Sequence, residues 1–151
     1  MQPCGKIVDM GIKDANNMGA AMAPSAVDTI ITHFKDTERN PSYYDGIFTG
    51  DLGHIGKEIV IELSQKEGFN IKSNYNDCGV LIFDKQAQDT HSGGSGCACI
   101  ATTFCGYLFK MLQEKKYKKI LLIATGALMN STSSQQGESI PGIAHAVSIE
   151  L

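Results

Sequence analysis

The stretch from Cys97 to Leu112 constrains the fold more than any other. It reads Cys-Ala-Cys-Ile-Ala-Thr-Thr-Phe-Cys-Gly-Tyr-Leu-Phe-Lys-Met-Leu, is long enough for four helical turns, and carries apolar or small side chains around nearly its whole circumference. A helix on a protein surface keeps a polar side, so one that lacks it is covered from several directions. One layer of sheet covers only one side. The chain therefore reads as half of a larger object.

The remaining segments supply that layer. Gly5 to Ile12 carries Ile7, Val8, Met10 and Ile12 and reads as a first strand. Pro24 marks an expected helix start, and Val27, Ile30, Ile31 and Phe34 then recur at the spacing of one helical face. Gly46 to Thr49 reads as a short strand. A second helix is expected from about His54 to Lys66, stopped by Gly68. Residues 69–93 are the least regular, with an apolar island at Val80 to Phe83. The glycine-rich Gly93-Gly94-Ser95-Gly96 opens the long helix. Lys118 to Thr125 and Ile143 to Ile149 read as strands joined by a polar loop over 126–141, long enough for antiparallel pairing. The order β-α-β-α, long loop, α-β-β predicts an α/β fold with helices covering a mixed sheet.

Composition narrows the class. Of the 151 residues, 42% are hydrophobic and 19% charged, which suits one globular domain and excludes a disordered chain. The net charge is -3 and there is no basic stripe, so nucleic acid is not an expected partner. No run approaches the roughly 20 apolar residues of a membrane span. Five cysteines in no scaffold spacing imply reduced thiols and an intracellular location.

Three segments carry a family resemblance: Asn16 to Pro24 (Asn-Asn-Met-Gly-Ala-Ala-Met-Ala-Pro), Gln88 to Cys97 (Gln-Asp-Thr-His-Ser-Gly-Gly-Ser-Gly-Cys), and Ser133 to Val147. Together they resemble the stage V sporulation protein AD family along essentially the whole chain. That family is similar in fold to thiolases and ketoacyl synthases. The resemblance implies one half (βαβα-loop-αββ) of an αβαβα sandwich, with a mixed five-stranded sheet and helices on both faces, the chain forming a single C-terminal half-domain over 1–151. The central helix of such a half lies between two sheets, which accounts for Cys97 to Leu112.

The resemblance also implies a function. Enzymes of the superfamily take a cysteine nucleophile from the N-terminal half and a histidine and a histidine or asparagine from the C-terminal half. Here the first position falls near Gly50 or Asp51, His54 comes several residues late, and Ser95 and Gly96 stand where asparagine is expected. The expectation is a protein that is not an enzyme and has no cofactor. It would bind dipicolinic acid, alone or as its calcium chelate, for uptake into the forespore, peripheral to the inner membrane and beside spore membrane-channel proteins. The alternatives are a thiolase-like acyltransferase half-domain and a structural module that docks to the channel subunits. An exposed apolar face would be covered by the N-terminal half of the same protein or by a second copy of this chain, giving a homodimer.

Candidate site residues follow from chemistry. Gly94, Ser95, Gly96 and Cys97 open a helix, where small residues give a carboxylate access to free N–H groups and to the positive end of the dipole. Asp89 and His91 flank that loop, and an imidazole can bond or pair with a ligand carboxylate, or simply satisfy loop backbone. Gln136 belongs to a polar loop that could rim a pocket, and His145 lies on the last strand as a pocket-facing or core residue. A metal is not expected: Cys97 and Cys99 point roughly 200° apart on a helix of about 3.6 residues per turn. The acidic loop residues Asp51, Asp77 and Glu138 follow no calcium-loop spacing.

Overall fold

The computed structural model describes residues 5–151. Its elements in chain order are α1 (Met18–Thr37), β1 (Gly46–Thr49), α2 (Gly53–Lys66), β2 (Tyr75–Asp77), α3 (Cys78–Leu81), α4 (residues 99–113), β3 (Lys119–Ala127), α5 (Ser131–Gln135) and β4 (Gly142–Glu150). The strands form one mixed sheet in the order β2-β1-β3-β4. β1 pairs in parallel with β2 (Ile47 opposite Tyr75) and with β3 (Phe48 opposite Leu122), while β4 runs antiparallel to β3 with Ala146 opposite Ile123.

Alternation along the strands divides the core. Ile47, Leu121, Ile123 and Ala144 meet α1 and α2 through Ile30, Phe34 and Val60. Phe48, Ile120 and Leu122 point the other way, onto Cys99, Leu108 and Leu112 of α4. Helices thus lie on both faces, and the run Ile120-Leu121-Leu122-Ile123 is apolar throughout because it is buried on both sides. α4 changes character midway: Cys99–Thr103 and Phe109–Gln113 are α-helical, and Phe104–Leu108 between them is a π-helical turn, closed by the Phe109 N–H donating to the Phe104 carbonyl.

Four expectations are corrected. The sheet of the described residues has four strands, not five. Gly5 to Ile12 is not a strand; it meets β4 at one antiparallel bridge, where Val8 and Gly142 exchange N–H···O bonds of 2.9 and 2.8 Å. The Asp9 carboxylate accepts the Gly11 N–H at 2.9 Å and Gly11 turns to φ +74°, which interrupts the pairing before a single further bond, from the Ile140 N–H to the Ile12 carbonyl at 2.7 Å. A strand instead lies in the stretch expected to be irregular: Tyr75-Asn76-Asp77, too short and too polar to show a period of two. α1 begins at Met18, so Pro24 sits inside it; the Ala-rich turn before Pro24 is strong helix former, and one missing N–H does not stop it. The loop over 126–141 contains α5, which begins with a reciprocal capping box between Asn130 and Ser133.

α4 does not present an all-round buried surface within this chain. Leu108 and Leu112 are buried, whereas Tyr107 and Phe109 are 44% and 47% exposed. Ala101, Thr102, Cys105 and Gly106 are exposed beside them. Next to that open side, Ile100 and Phe104 of α4 with Leu122, His145, Val147 and Ile149 of the sheet line an apolar groove of about 300 Å³. Among the described residues no helix is long and apolar enough to cross a membrane.

Candidate functional site

β1, β2 and β3 run parallel, so their carboxyl ends lie along one edge of the sheet, at Thr49, Asp77 and Thr125. The chain leaves β1 through α2 toward β2 and returns through α4 to β3 on the other side of β1. The crevice between β1 and β3 is therefore the switch point at which open α/β sheets hold their ligands. Two carboxylates organise it.

Asp77 is fully buried and accepts four hydrogen bonds. The Thr49 hydroxyl donates at 2.7 Å, the Leu52 and Gly53 N–H groups at 3.1 and 3.0 Å, and the Gly79 N–H at 3.0 Å. These are the free N–H groups at the starts of α2 and α3, so one carboxylate caps both. The Thr49 proton is committed to Asp77, so the Tyr75 hydroxyl, 2.7 Å away, donates to Thr49 in turn. Burial pushes the Asp77 pKa above its ordinary value, against the downward pull of the four donors.

Asp51 lies over β1 and β3. One oxygen accepts the Thr125 hydroxyl at 2.9 Å and the other accepts the Gly96 N–H at 2.9 Å. The segment from Ser92 to Gly96 is thereby fixed across the sheet edge at three points: the Ser92 carbonyl on the His54 N–H (2.8 Å), the Gly94 N–H on the Gly79 carbonyl (2.7 Å), and Gly96 on Asp51. The glycines are required by this close approach. Gly93 stands at φ +114° with the Gly79 carbonyl 2.6 Å from where a Cβ would be, and a side chain at Gly53 would strike the Ser92 carbonyl.

Between this segment and α3 runs a groove of about 560 Å³, with Ile82 and Phe83 on one wall and Gly94, Ser95, Gly96 and Cys97 on the other. Four of the eight expected site residues thus share one surface. The N–H groups of Ser95, Cys97 and Ala98 have no acceptor among the described residues and stand at the start of α4. Asp89 and His91 pair with each other at 3.1 Å, with side chains 88% and 87% exposed, outside the groove lining. Gln136 is exposed beyond α5, and His145 lines the separate apolar groove beside α4.

The thiols differ by burial. Cys78 and Cys99 lie in the core, where desolvation pushes their pKa values up to about 12 and about 11, so neither is a thiolate near neutral pH. Cys97 and Cys105 are exposed, and Cys4 lies outside the described residues. Among the described residues no group of three or more His, Cys, Asp or Glu side chains is placed to hold a metal.

Sequence reasoning treated Asp51 and Asp77 as acidic loop residues and missed both as organisers. The available signal was their placement, one directly after and one at the end of a strand whose carboxyl end faces the crevice.

The whole chain is similar to proteins of bacterial spore formation. A family model described as stage V sporulation protein AD matches residues 1–150. The stage V sporulation protein AD of Bacillus subtilis (strain 168) is 46% identical over 146 residues, which cover 97% of this chain and 43% of that protein. The chain thus spans less than half the length of the curated relative it matches. With a family match over nearly every residue and this identity, the chain belongs to the stage V sporulation protein AD family.

Proposed function

We propose that this chain is the ligand-binding C-terminal half of a sporulation protein with a thiolase-like sandwich, and that its groove between α3 and the 92–97 segment takes dipicolinic acid without transforming it. The observation that carries the reading is the groove itself. It sets an apolar wall, Ile82 and Phe83, against unpaired N–H groups at the start of a helix, which is what a flat aromatic ring bearing carboxylates requires. Binding without chemistry is supported by the site's contents. The resemblance puts the superfamily's histidine position near Gly50 or Asp51, neither a histidine, and the two buried thiols are held protonated. Family membership supports the sporulation role; uptake into the forespore beside channel proteins is part of the proposal.

The half-sandwich reading is supported by the open side of α4. Tyr107, Phe109 and Val147 are 44%, 47% and 57% exposed around an apolar groove, in a chain that spans 43% of its relative. The N-terminal half of the full-length protein, or a second copy of this chain, covers that face.

Calorimetric titration with dipicolinic acid tests the ligand, on this chain and on the chain joined to the N-terminal half of its relative. Saturable binding that Gly94→Val weakens at least tenfold is expected, because a side chain at Gly94 enters the groove 2.7 Å from Ile82 and 3.2 Å from Phe83. Binding that Gly94→Val leaves unchanged moves the ligand elsewhere, and no binding by either protein removes dipicolinate from the function.

A further inference from the structure

Ser25, Thr29 and His33 recur at every fourth residue of α1, and all three are buried. The polar seam they form lies against β4. Gly142 sits on the Ser25 hydroxyl, and the Thr29 hydroxyl donates to the Ala144 carbonyl at 3.0 Å. His33 closes the seam through the buried Tyr44. Its Nε2 is 2.6 Å from the Tyr44 hydroxyl, which stands 3.2 Å from the Ser148 hydroxyl of β4.

That phenol has one proton and three polar neighbours. Arg39 can only donate, and its Nη1 does so at 2.9 Å. Tyr44 therefore gives its proton to His33 or to Ser148, and the shorter contact assigns it to a neutral imidazole accepting at Nε2. The same guanidinium pairs with Glu150 at 2.8 Å and lies over the Tyr43 ring at 4.1 Å. One arginine thus ties the end of β4 to the connection that follows α1.

Protonation turns the first bond round. Nε2 becomes a donor, the Tyr44 proton swings to Ser148, and two cations then point at one neutral oxygen. The helix fixes His33, whereas the Arg39 side chain is 23% exposed and can retreat into water. The charged groups around the imidazole are Asp36 on the next turn of α1, Arg39 on the connection and Glu150 on β4, with Lys119 of β3 beyond the Tyr43 ring at 3.9 Å. Burial first, and then the Arg39 charge, hold the His33 pKa below its ordinary 6.5, while Asp36 pulls it back by less. The folded chain therefore resists a proton that the unfolded chain takes up. The contribution of this contact is complete above pH 6.5 and is lost as pH falls through the folded value.

We propose that His33 is a proton-sensitive latch on the end of β4. Neutral, it holds Tyr44 and Arg39 in place and, through them, Ser148 and Glu150. Protonated, it expels Arg39 and frees the last residues of the strand. Val147 and Ile149 alternate with those two residues and line the apolar groove beside α4, so acid reaches the open face from behind the sheet.

Two measurements on this chain test the latch. NMR titration follows the ring Cε1–H signals of the four histidines. The His33 midpoint should lie below 6.5 and should rise in Arg39→Gln, which removes the facing charge. Hydrogen exchange at pH 7.5 and 5.5, corrected for the intrinsic rate, follows residues 145–151 in the wild type and in His33→Gln, which keeps a neutral acceptor for Tyr44. Wild-type protection there should fall several-fold at pH 5.5, by no more than about tenfold per pH unit, the limit for one proton. His33→Gln should hold it constant. An equal fall in both proteins, or a fall spread evenly over α1, β1 and β4, overturns the latch. A His33 midpoint at or above 6.5, or one that Arg39→Gln leaves unmoved, overturns it too, and this test stands even if His33→Gln fails to fold.

Discussion

On one face of the sheet α1 and α2 lie side by side, and Ile47, Leu121 and Ile123 beneath them are fully buried. On the other face α4 has only the single turn of α3 beside it, through Cys78 and Leu81, and Val147 remains 57% exposed. The strands are the same and the side chains on both faces are mainly apolar. The difference lies in how much helix each face receives: two long helices on one, one long helix and a single turn on the other. The face with two long helices is finished; the face with one long helix and the short α3 covers β1 and most of β3, reaches Ile149 of β4 and leaves Val147 exposed. Apolar character alone does not tell a core from a contact surface. The extent of helical cover does.

The largest effect should come from the finished face. Phe34→Ala removes a side chain that is 1% exposed and stacked on Phe69 with ring centroids 5.3 Å apart, and should cost about 3–5 kcal/mol in urea unfolding. A loss below about 1 kcal/mol would mean that this face is no better packed than the other.

A middle-sized effect is expected at the sheet edge that joins the faces. The Asp77 pKa is raised on folding, so its contribution favours the fold below its ordinary value of 3.8 and is lost as pH rises through the raised folded value. In Asp77→Asn this pH-dependent part should vanish. Its stability should also fall by about 1–3 kcal/mol near neutral pH, since an amide nitrogen cannot accept from the caps of α2 and α3. Chemical denaturation from pH 3.5 to 7 in both proteins checks the slope; parallel curves would remove Asp77 as its source.

The smallest effect on folding belongs to the open face. Val147→Ser should change stability by under about 0.5 kcal/mol, as an exposed site does. It should nonetheless weaken association with whatever covers β4, seen by light scattering across dilution. A large stability loss would show that β4 is already covered within this chain.

Much of this was legible in the sequence, for physical reasons that differ by element. α1 and α2 announced themselves by apolar spacing, and β1 and the antiparallel pair β3 and β4 by apolar runs bounded by turns. The Gly68 stop was readable because a left-handed residue closes the helix, with the Gly68 and Phe69 N–H groups returning to the Gln65 and Ser64 carbonyls. β2 was not, since three residues with Asn and Asp among them carry no period. The supposed first strand failed because Asp9 and Gly11 form a turn inside an apolar run. At the site, the glycine segment stood out by composition. Its partners did not, because Asp51 meets Gly96 across 45 positions and Asp77 meets Leu52 across 25. No local pattern encodes such a meeting.

The π-helical turn Phe104–Leu108 acts as a phase shifter within α4. An i to i+5 closure accommodates one residue more than an α-turn, and one residue corresponds to roughly 100° of rotation about the axis. The first third of the helix, which carries Cys99 into the core and Thr102 into the groove, is thereby indexed independently of the last third, which seats Leu112. Deleting Gly106 would restore an uninterrupted α-helix and leave its hydrogen bonding intact. It would also rotate the groove-lining end away from the crevice while the distal end kept its seat. In this helix the aim of the site and the anchoring of the core are therefore separate settings, linked by one surplus residue.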